Sequence, residues 1–125
     1  MKKLSVIVPV YNEQNTIAEI LRRIEEVTIP GWSKEIIVVD DGSKDRTKSV
    51  LKQWEKKVNV LYKEKNEGKG SALSIGFKKT TGDVVLIQDA DLEYSPMDYP
   101  VLLAPFDNPQ VDVVYGSRFL GPHLS

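Results

Sequence analysis

The chain has 125 residues, 41% of them hydrophobic, which suffices for the core of one domain but supplies no apolar run long enough to span a membrane. Its 17 Lys and Arg residues nearly balance 18 Asp and Glu residues, and the resulting net charge of -1 gives no reason to expect nucleic acid as a partner. The absence of cysteine excludes disulfides and thiolate chemistry, and it fits a reducing compartment such as the cytoplasm.

Apolar runs that suit buried strands alternate with segments of helical periodicity along the chain. The predicted strands are 4–10, 35–39, 58–62, 83–88 and 111–115, and the predicted helices are 15–27, 44–56, one that opens at 66–70 and continues through Phe77, and 96–105. Thr16 and Glu19 suggest a capping box, and Ser95 is the predicted N-cap of the last helix. The alternation predicts an α/β domain with a Rossmann-like, mostly parallel sheet flanked by helices.

The apolar run 84–87 leads to two carboxylates, Asp89 and Asp91, that are one residue apart. Residues i and i+2 of an extended chain point to the same side, so both carboxylates could aim at one point beyond a strand end. Two hard oxygen donors at that spacing suit Mg²⁺ or Mn²⁺ shared with phosphate oxygens. Taken alone, the same residues also fit a polar turn after a strand.

Similar polar clusters follow three other predicted strands. In open parallel sheets, ligands bind outside the carboxyl ends of the strands, where the strand order reverses. Four clusters on one rim are hard to explain by turn chemistry alone, so together they predict a ligand site. The three further clusters are Tyr11-Asn12-Glu13, Asp40-Asp41-Gly42-Ser43 and Gly116-Ser117-Arg118.

Individual residues of this rim suit different parts of a nucleotide. Asp40 could accept hydrogen bonds from the N–H edge of uracil or guanine, whereas Asp41 could cap the second helix or bond within its own turn. Lys69, between two glycines, could meet a phosphate, although packing at a helix start is the better explanation of Gly68-Lys69-Gly70 taken alone. Arg118 could clamp a phosphate bidentately or form a surface ion pair.

Four motifs, taken in order and spacing, resemble the family 2 inverting glycosyltransferases of the GT-A fold. The ending Tyr115-Gly116-Ser117-Arg118-Phe119 is similar to the polyprenyl-phosphate branch, which includes dolichol-phosphate mannose synthases and undecaprenyl-phosphate glycosyltransferases. The four motifs are Val8-Pro9-Val10-Tyr11-Asn12-Glu13, Val38-Val39-Asp40-Asp41-Gly42-Ser43, Asn66-Glu67-Gly68-Lys69-Gly70 and Asp89-Ala90-Asp91.

The resemblance implies a metal-dependent, inverting transfer of mannose or glucose from a GDP- or UDP-sugar to a polyprenyl phosphate, with Mg²⁺ or Mn²⁺ as the cation. Glu93 stands where relatives often carry Gln, Ser or His, and its carboxylate would add a third metal ligand. Asp91 and Arg118 are the residues expected to act in catalysis. The implied nucleotide-sugar contacts are Pro9, Tyr11, Glu13, Val38, Asp40, Lys69, Asp89, Ala90 and Arg118, and the implied metal ligands are Asp89, Asp91 and Glu93.

Members of this family are much longer than this chain. We therefore expect residues 1–125 to form a single GT-A-type domain that is incomplete at its C-terminus, keeping the donor half and lacking most of the acceptor half. A non-catalytic nucleotide-sugar-binding module, or a partner subunit, is the alternative function. The expected location is the cytoplasm, including the cytoplasmic face of a membrane reached by peripheral contact, and an uncovered acceptor side would favour a homo-oligomer.

A phosphoacceptor domain of the receiver type fits less well. That fold carries its acidic pair after the first strand, where this chain has Pro9-Val10-Tyr11.

Overall fold

The computed structural model describes residues 1–90 and 95–104, together with the backbone of residues 113–115. The predicted α/β fold is confirmed, and the sheet is parallel throughout. The strands are β1 (Lys2–Val10), β2 (Trp32–Asp40), β3 (Asn59–Tyr62), β4 (Val84–Ile87) and β5 (Val113–Tyr115), and they pair in the order β3-β2-β1-β4-β5.

The helices follow the predicted order but are mostly shorter than the sequence pattern suggests. They are α1 (Ile17–Glu26), α2 (Thr47–Lys52), α3 (Lys69–Phe77), a 3₁₀ turn (Pro96–Asp98) and α4 (Tyr99–Leu103). None of the helices in the described ranges is long and apolar enough to cross a membrane.

The starts of two helices test the capping predictions. Ser95 is the N-cap of the 3₁₀ turn, since its hydroxyl accepts the Met97 N–H at 3.2 Å, as predicted. The capping box at α1 is wrong, because Thr16 makes no side-chain cap hydrogen bond there. Glu19 instead pairs with Arg22 and Arg23 on the outer face of α1.

Strand β1 lies at the centre of the sheet and is buried on both faces. Leu4, Val6 and Val8 pack into the cluster that includes the inner face of α1, and this is the larger part of the core. Helix α3 covers the other face so closely that a Cβ on Gly76 would lie 2.8 Å from the Ile7 Cγ2. Strands covered on both faces read as continuous apolar runs, which is why β1 was visible in the sequence.

The strand order reverses at β1, because β2 and β3 extend the sheet on one side while β4 and β5 extend it on the other. The connections that leave β1 and β4 at their carboxyl ends therefore diverge, and a crevice opens between them.

Candidate functional site

A cleft of about 280 Å³ opens at the carboxyl ends of β1 and β4, at the reversal of strand order. It brings together six of the residues that the sequence assigned to a nucleotide-sugar site, and it adds Val10, Asp41 and Ala72. The six are Pro9, Tyr11, Glu13, Lys69, Asp89 and Ala90.

The wall after β1 is shaped by Asn12, whose φ of 52° lies in the left-handed region. Asparagine tolerates this conformation better than most residues because its short side chain bonds locally. Its N–H donates to the Ser43 hydroxyl at 2.9 Å, and its side-chain oxygen accepts the Lys44 N–H at 2.8 Å. The loop after β2 thus fixes the loop after β1, which places Tyr11 and Glu13 on the cleft wall.

Thr16 connects the two walls of the cleft. Its hydroxyl lies 2.5 Å from the Ala90 carbonyl oxygen and 3.1 Å from the Glu13 carboxylate. No local sequence pattern indicates this contact, because Ala90 is 74 residues away along the chain.

Asp40 is fully buried at the end of β2. One of its carboxylate oxygens accepts the Ser43 N–H at 3.2 Å, and the other has no hydrogen-bond partner among the described residues. A buried acceptor without a partner is uncommon and needs an explanation. Val38 is fully buried in the hydrophobic core. Neither residue lines the cleft, so their contact with a base stays a prediction.

The sequence suggested that Asp41 caps the second helix or bonds within its own turn, but the structure shows neither contact. Its carboxylate accepts hydrogen bonds from the Lys63 ammonium at 2.8 Å and from the Glu67 and Gly68 N–H groups at 3.0 and 2.9 Å. Burial by itself raises the pKa of Asp41, but these three donors outweigh burial and the pKa is lowered. Asp41 therefore holds the loop that leads into α3.

Lys63 was missed by the sequence reasoning. It directly follows β3, so the same rule that found the other rim clusters applied to it. Its neighbours Glu64 and Lys65 made the segment read as an ordinary charged loop, and burial of one lysine among them is not visible in the sequence.

An ion pair crosses the cleft. The Lys69 ammonium lies 2.5 Å from the Asp89 Oδ1, with the Asp89 side chain 19% exposed and the Lys69 side chain 53% exposed. A half-exposed lysine on a flexible stem can change partners at little cost, which makes Lys69 a movable positive charge inside the site.

Asp89 suits a divalent cation, because its carboxylate is a hard oxygen donor on the cleft wall. Within residues 1–90 and 95–104, no three acidic or histidine side chains converge on a common point. The predicted ligands Asp91 and Glu93 lie outside the described residues, as does Arg118. Asp89 is thus the one predicted ligand whose surroundings the structure describes, and its binding of a cation stays a prediction.

A parallel sheet with a cleft at its reversal point defines an α/β domain of Rossmann-like architecture. The sequence model of Glycosyl transferase family 2 matches residues 5–122, and the chain belongs to this family.

Two curated relatives act as polyprenyl-phosphate sugar transferases by name. The chain is 39% identical over 120 residues to the dolichol-phosphate mannosyltransferase of Pyrococcus furiosus, covering 94% of this chain and 34% of the relative. It is 38% identical over 112 residues to the undecaprenyl-phosphate 4-deoxy-4-formamido-L-arabinose transferase of Klebsiella pneumoniae, covering 86% of this chain and 34% of the relative. The chain thus spans about a third of the length of each.

Solved structures agree on the fold. A mannosyltransferase of Pyrobaculum calidifontis, in complex with GDP-Man and Mn²⁺, superposes with a TM-score of 0.76 at 29% identity, over 88% of this chain and 34% of that one. The glucosyl-3-phosphoglycerate synthase of Mycobacterium tuberculosis, in complex with Mn²⁺, UDP and phosphoglyceric acid, gives 0.70 at 30% identity, over 84% and 39%.

Proposed function

We propose that this chain binds the nucleotide-sugar donor in the transfer of mannose or glucose from a GDP- or UDP-sugar to a polyprenyl phosphate. The observation that carries the proposal is the cleft at the reversal of strand order, where Tyr11 and Glu13 face Lys69 and Asp89. The named activities of the two curated relatives support the lipid-phosphate acceptor, and the complexes of the structural relatives support the donor and the cation.

The residues of the cleft would contact different parts of the donor. Pro9 and Tyr11 would supply surface for the nucleoside, and the Asp40 oxygen that has no hydrogen-bond partner among the described residues suits an N–H group of the base. The Lys69 ammonium attracts the diphosphate. Asp89 would hold Mg²⁺ or Mn²⁺ together with Asp91 and Glu93, and Arg118 would contact a phosphate. When bound, the cation neutralises the charge that develops on the leaving diphosphate.

The acceptor requires little activation. A phosphate monoester has a second pKa of about 6, so it is largely ionised near neutral pH and needs no strong general base. Attack by its oxygen on the sugar C1, from the side opposite the diphosphate, forms one C–O bond as the other breaks. The configuration at C1 is inverted in that single step.

Titration calorimetry with GDP and UDP, each with and without Mn²⁺, tests donor binding. We expect one of the two nucleotides to bind in a Mn²⁺-dependent way, and Asp89→Asn to remove most of that dependence. Asp98→Asn is the matched control, because Asp98 is exposed and does not line the cleft. Absence of binding by the unchanged chain in the presence of Mn²⁺ would overturn the proposal.

The alternative function is a nucleotide-sugar-binding module without transfer. A transfer assay with radiolabelled GDP- and UDP-sugars and a polyprenyl phosphate separates the two functions. Labelled lipid identifies a transferase, whereas tight donor binding without labelled lipid identifies the module.

A further inference from the structure

The ion pair between Asp41 and Lys63 is buried beside the cleft. The carboxylate and the ammonium are 2.8 Å apart, and each side chain is only 6% exposed. Removing two charges from water is costly, and such a pair can often be replaced by apolar residues without loss of stability. The contacts of the pair point to a role other than stability.

The pair holds both sides of the turn that begins α3. The Asp41 carboxylate accepts the N–H groups of Glu67 and Gly68 at 3.0 and 2.9 Å. The Lys63 ammonium donates to the Ser71 hydroxyl at 2.7 Å and lies 3.1 Å from the Glu67 carboxylate. Every one of these contacts falls within two residues of Lys69 or on the first turn of its helix.

The other side of the same loop is fixed by Gly42. A Cβ on Gly42 would come within 2.6 Å of the Asn66 nitrogen and the Lys65 carbonyl carbon, so the two backbones are in direct contact. Gly68 leads into α3 with a φ of 99°, a conformation that suits glycine. Lys69, the next residue, begins the helix and reaches Asp89 across the cleft.

We propose that Lys63, acting through Asp41, is a positioning residue that sets the Glu67–Gly68 turn and thereby directs Lys69 at the diphosphate of the donor. This inference rests on the proposed function for the identity of the ligand. Both members of the pair stay charged near neutral pH. Burial opposes both charges, but the mutual hydrogen bond lowers the pKa of Asp41 and, with Glu67, raises the pKa of Lys63.

The test measures the contribution of the diphosphate to binding separately from that of the nucleoside. Calorimetry in Mn²⁺ compares a nucleoside diphosphate, UDP or GDP, with its nucleoside, uridine or guanosine. Lys63→Met should weaken binding of the diphosphate by about tenfold and leave the nucleoside within about twofold, since one charged contact is misplaced. Lys65→Met is the matched control, because this neighbouring lysine is exposed and outside the cleft.

A double-mutant cycle shows whether Lys63 acts through Lys69. Once Lys69→Ala has removed the directed charge, Lys63→Met should cause no further loss of diphosphate affinity. Equal losses for nucleoside and diphosphate, or a full additional loss in the Lys69→Ala background, would overturn the positioning role. If Lys63→Met does not fold, Asp41→Asn combined with Lys63→Met removes both charges and serves in the same cycle.

A ligand-independent measurement distinguishes this inference from the proposed function. Lys63→Met should speed hydrogen exchange of the Glu67 and Gly68 amides, whether or not a nucleotide binds, and unchanged exchange would contradict the positioning role. Failure of the unchanged chain to bind any nucleotide would instead contradict the proposed function.

Discussion

At the level of single residues, Lys69 and a divalent cation would compete for the carboxylate of Asp89. The Lys69 ammonium donates a hydrogen bond to the Asp89 Oδ1, and a divalent cation would need the same carboxylate. In the proposed function, a bound donor would offer Lys69 its diphosphate as another partner. Lys69 would then couple the pairing of the Asp89 carboxylate to the presence of the donor.

Lys69→Met should separate these two effects. We expect severalfold tighter binding of Mn²⁺ alone, because a competing positive charge is removed, and roughly tenfold weaker binding of the nucleoside diphosphate. Calorimetry with Mn²⁺ alone and with nucleotide measures both, and Lys65→Met should change neither. A Mn²⁺ affinity that does not rise would show that Lys69 does not compete for Asp89.

The buried pair predicts a pH dependence of stability with losses at both ends. The pKa of Asp41 is lowered from its ordinary 3.8, so its contribution is present above that value and is lost as the pH falls through the folded-state pKa. The pKa of Lys63 is raised from its ordinary 10.5, so its contribution is present below that value and is lost as the pH rises through the folded-state pKa.

Urea unfolding of the chain and of the Asp41→Asn, Lys63→Met double variant, from acid to alkaline pH, measures this dependence. The difference in stability between the two proteins should be constant across neutral pH and change at both extremes. A constant difference over the whole range would show that the two groups do not titrate with shifted pKa values.

The sequence predicted the rim residues well and their pairing poorly. Asp89 was found because residues after parallel strands gather at one edge, whatever the order of the strands. Lys69 was found because it stands between two glycines in a motif that resembles the family. The partner of Asp41 was not found, because Lys63 is 22 residues away and burial depends on the loops packed around it. Contacts between distant loops have no local pattern from which to read them.

At the scale of elements, local signals placed the strands and helices but not their ends. Strand β2 begins at Trp32 rather than at residue 35, because it pairs with β1 continuously from Lys2↔Trp32 to Val10↔Asp40. Helix α2 ends at Lys52, and the Trp54 N–H bonds to the Leu51 carbonyl in a tighter turn. Both differences come from tertiary pairing and terminal hydrogen bonds, which periodicity does not report.

Comparing two glycines tests how much the contact between the loops after β2 and β3 contributes to stability. Gly42 and Gly31 have positive φ values of 74° and 82°, but only Gly42 is pressed against other backbone, whereas a Cβ on Gly31 would meet open space. Gly31→Ala should cost about 1 kcal/mol from backbone strain alone. Gly42→Ala should cost about 1–3 kcal/mol more, because the loop before α3 must move.

Urea unfolding of both variants measures the difference, and calorimetry shows whether nucleotide binding weakens in Gly42→Ala alone. Equal destabilisation by the two substitutions would mean that the close contact with Lys65 and Asn66 does not restrict the residue at position 42.

At the scale of the whole molecule, the order β3-β2-β1-β4-β5 makes the site, because it places the end of β4 beside the end of β1. The alternation of elements predicted a parallel sheet but not this order, since strand neighbours depend on which crossovers pack together. Periodicity could not identify the family, but the resemblance in four motifs did. The match to the family over residues 5–122 confirms that resemblance.

Self-association stays a prediction, and exposed apolar side chains favour it. Met97 and Val101 are four residues apart on the segment 95–104, and they are 69% and 75% exposed. Light scattering over a range of concentrations should show species larger than a monomer, and Val101→Lys should shift them toward the monomer. A monomer at every concentration would contradict the prediction.

Paramagnetic broadening by Mn²⁺ tests whether the cation and the donor share the cleft. In spectra of the ¹⁵N-labelled chain with UDP or GDP, Mn²⁺ broadens the amide signals of residues close to it. We expect selective broadening at Tyr11, Lys69, Asp89 and Ala90, with no change at Lys3 and Asp83, which lie at the amino ends of β1 and β4, away from the cleft. Broadening confined to surface carboxylates such as Glu26, with none at Asp89, would contradict it.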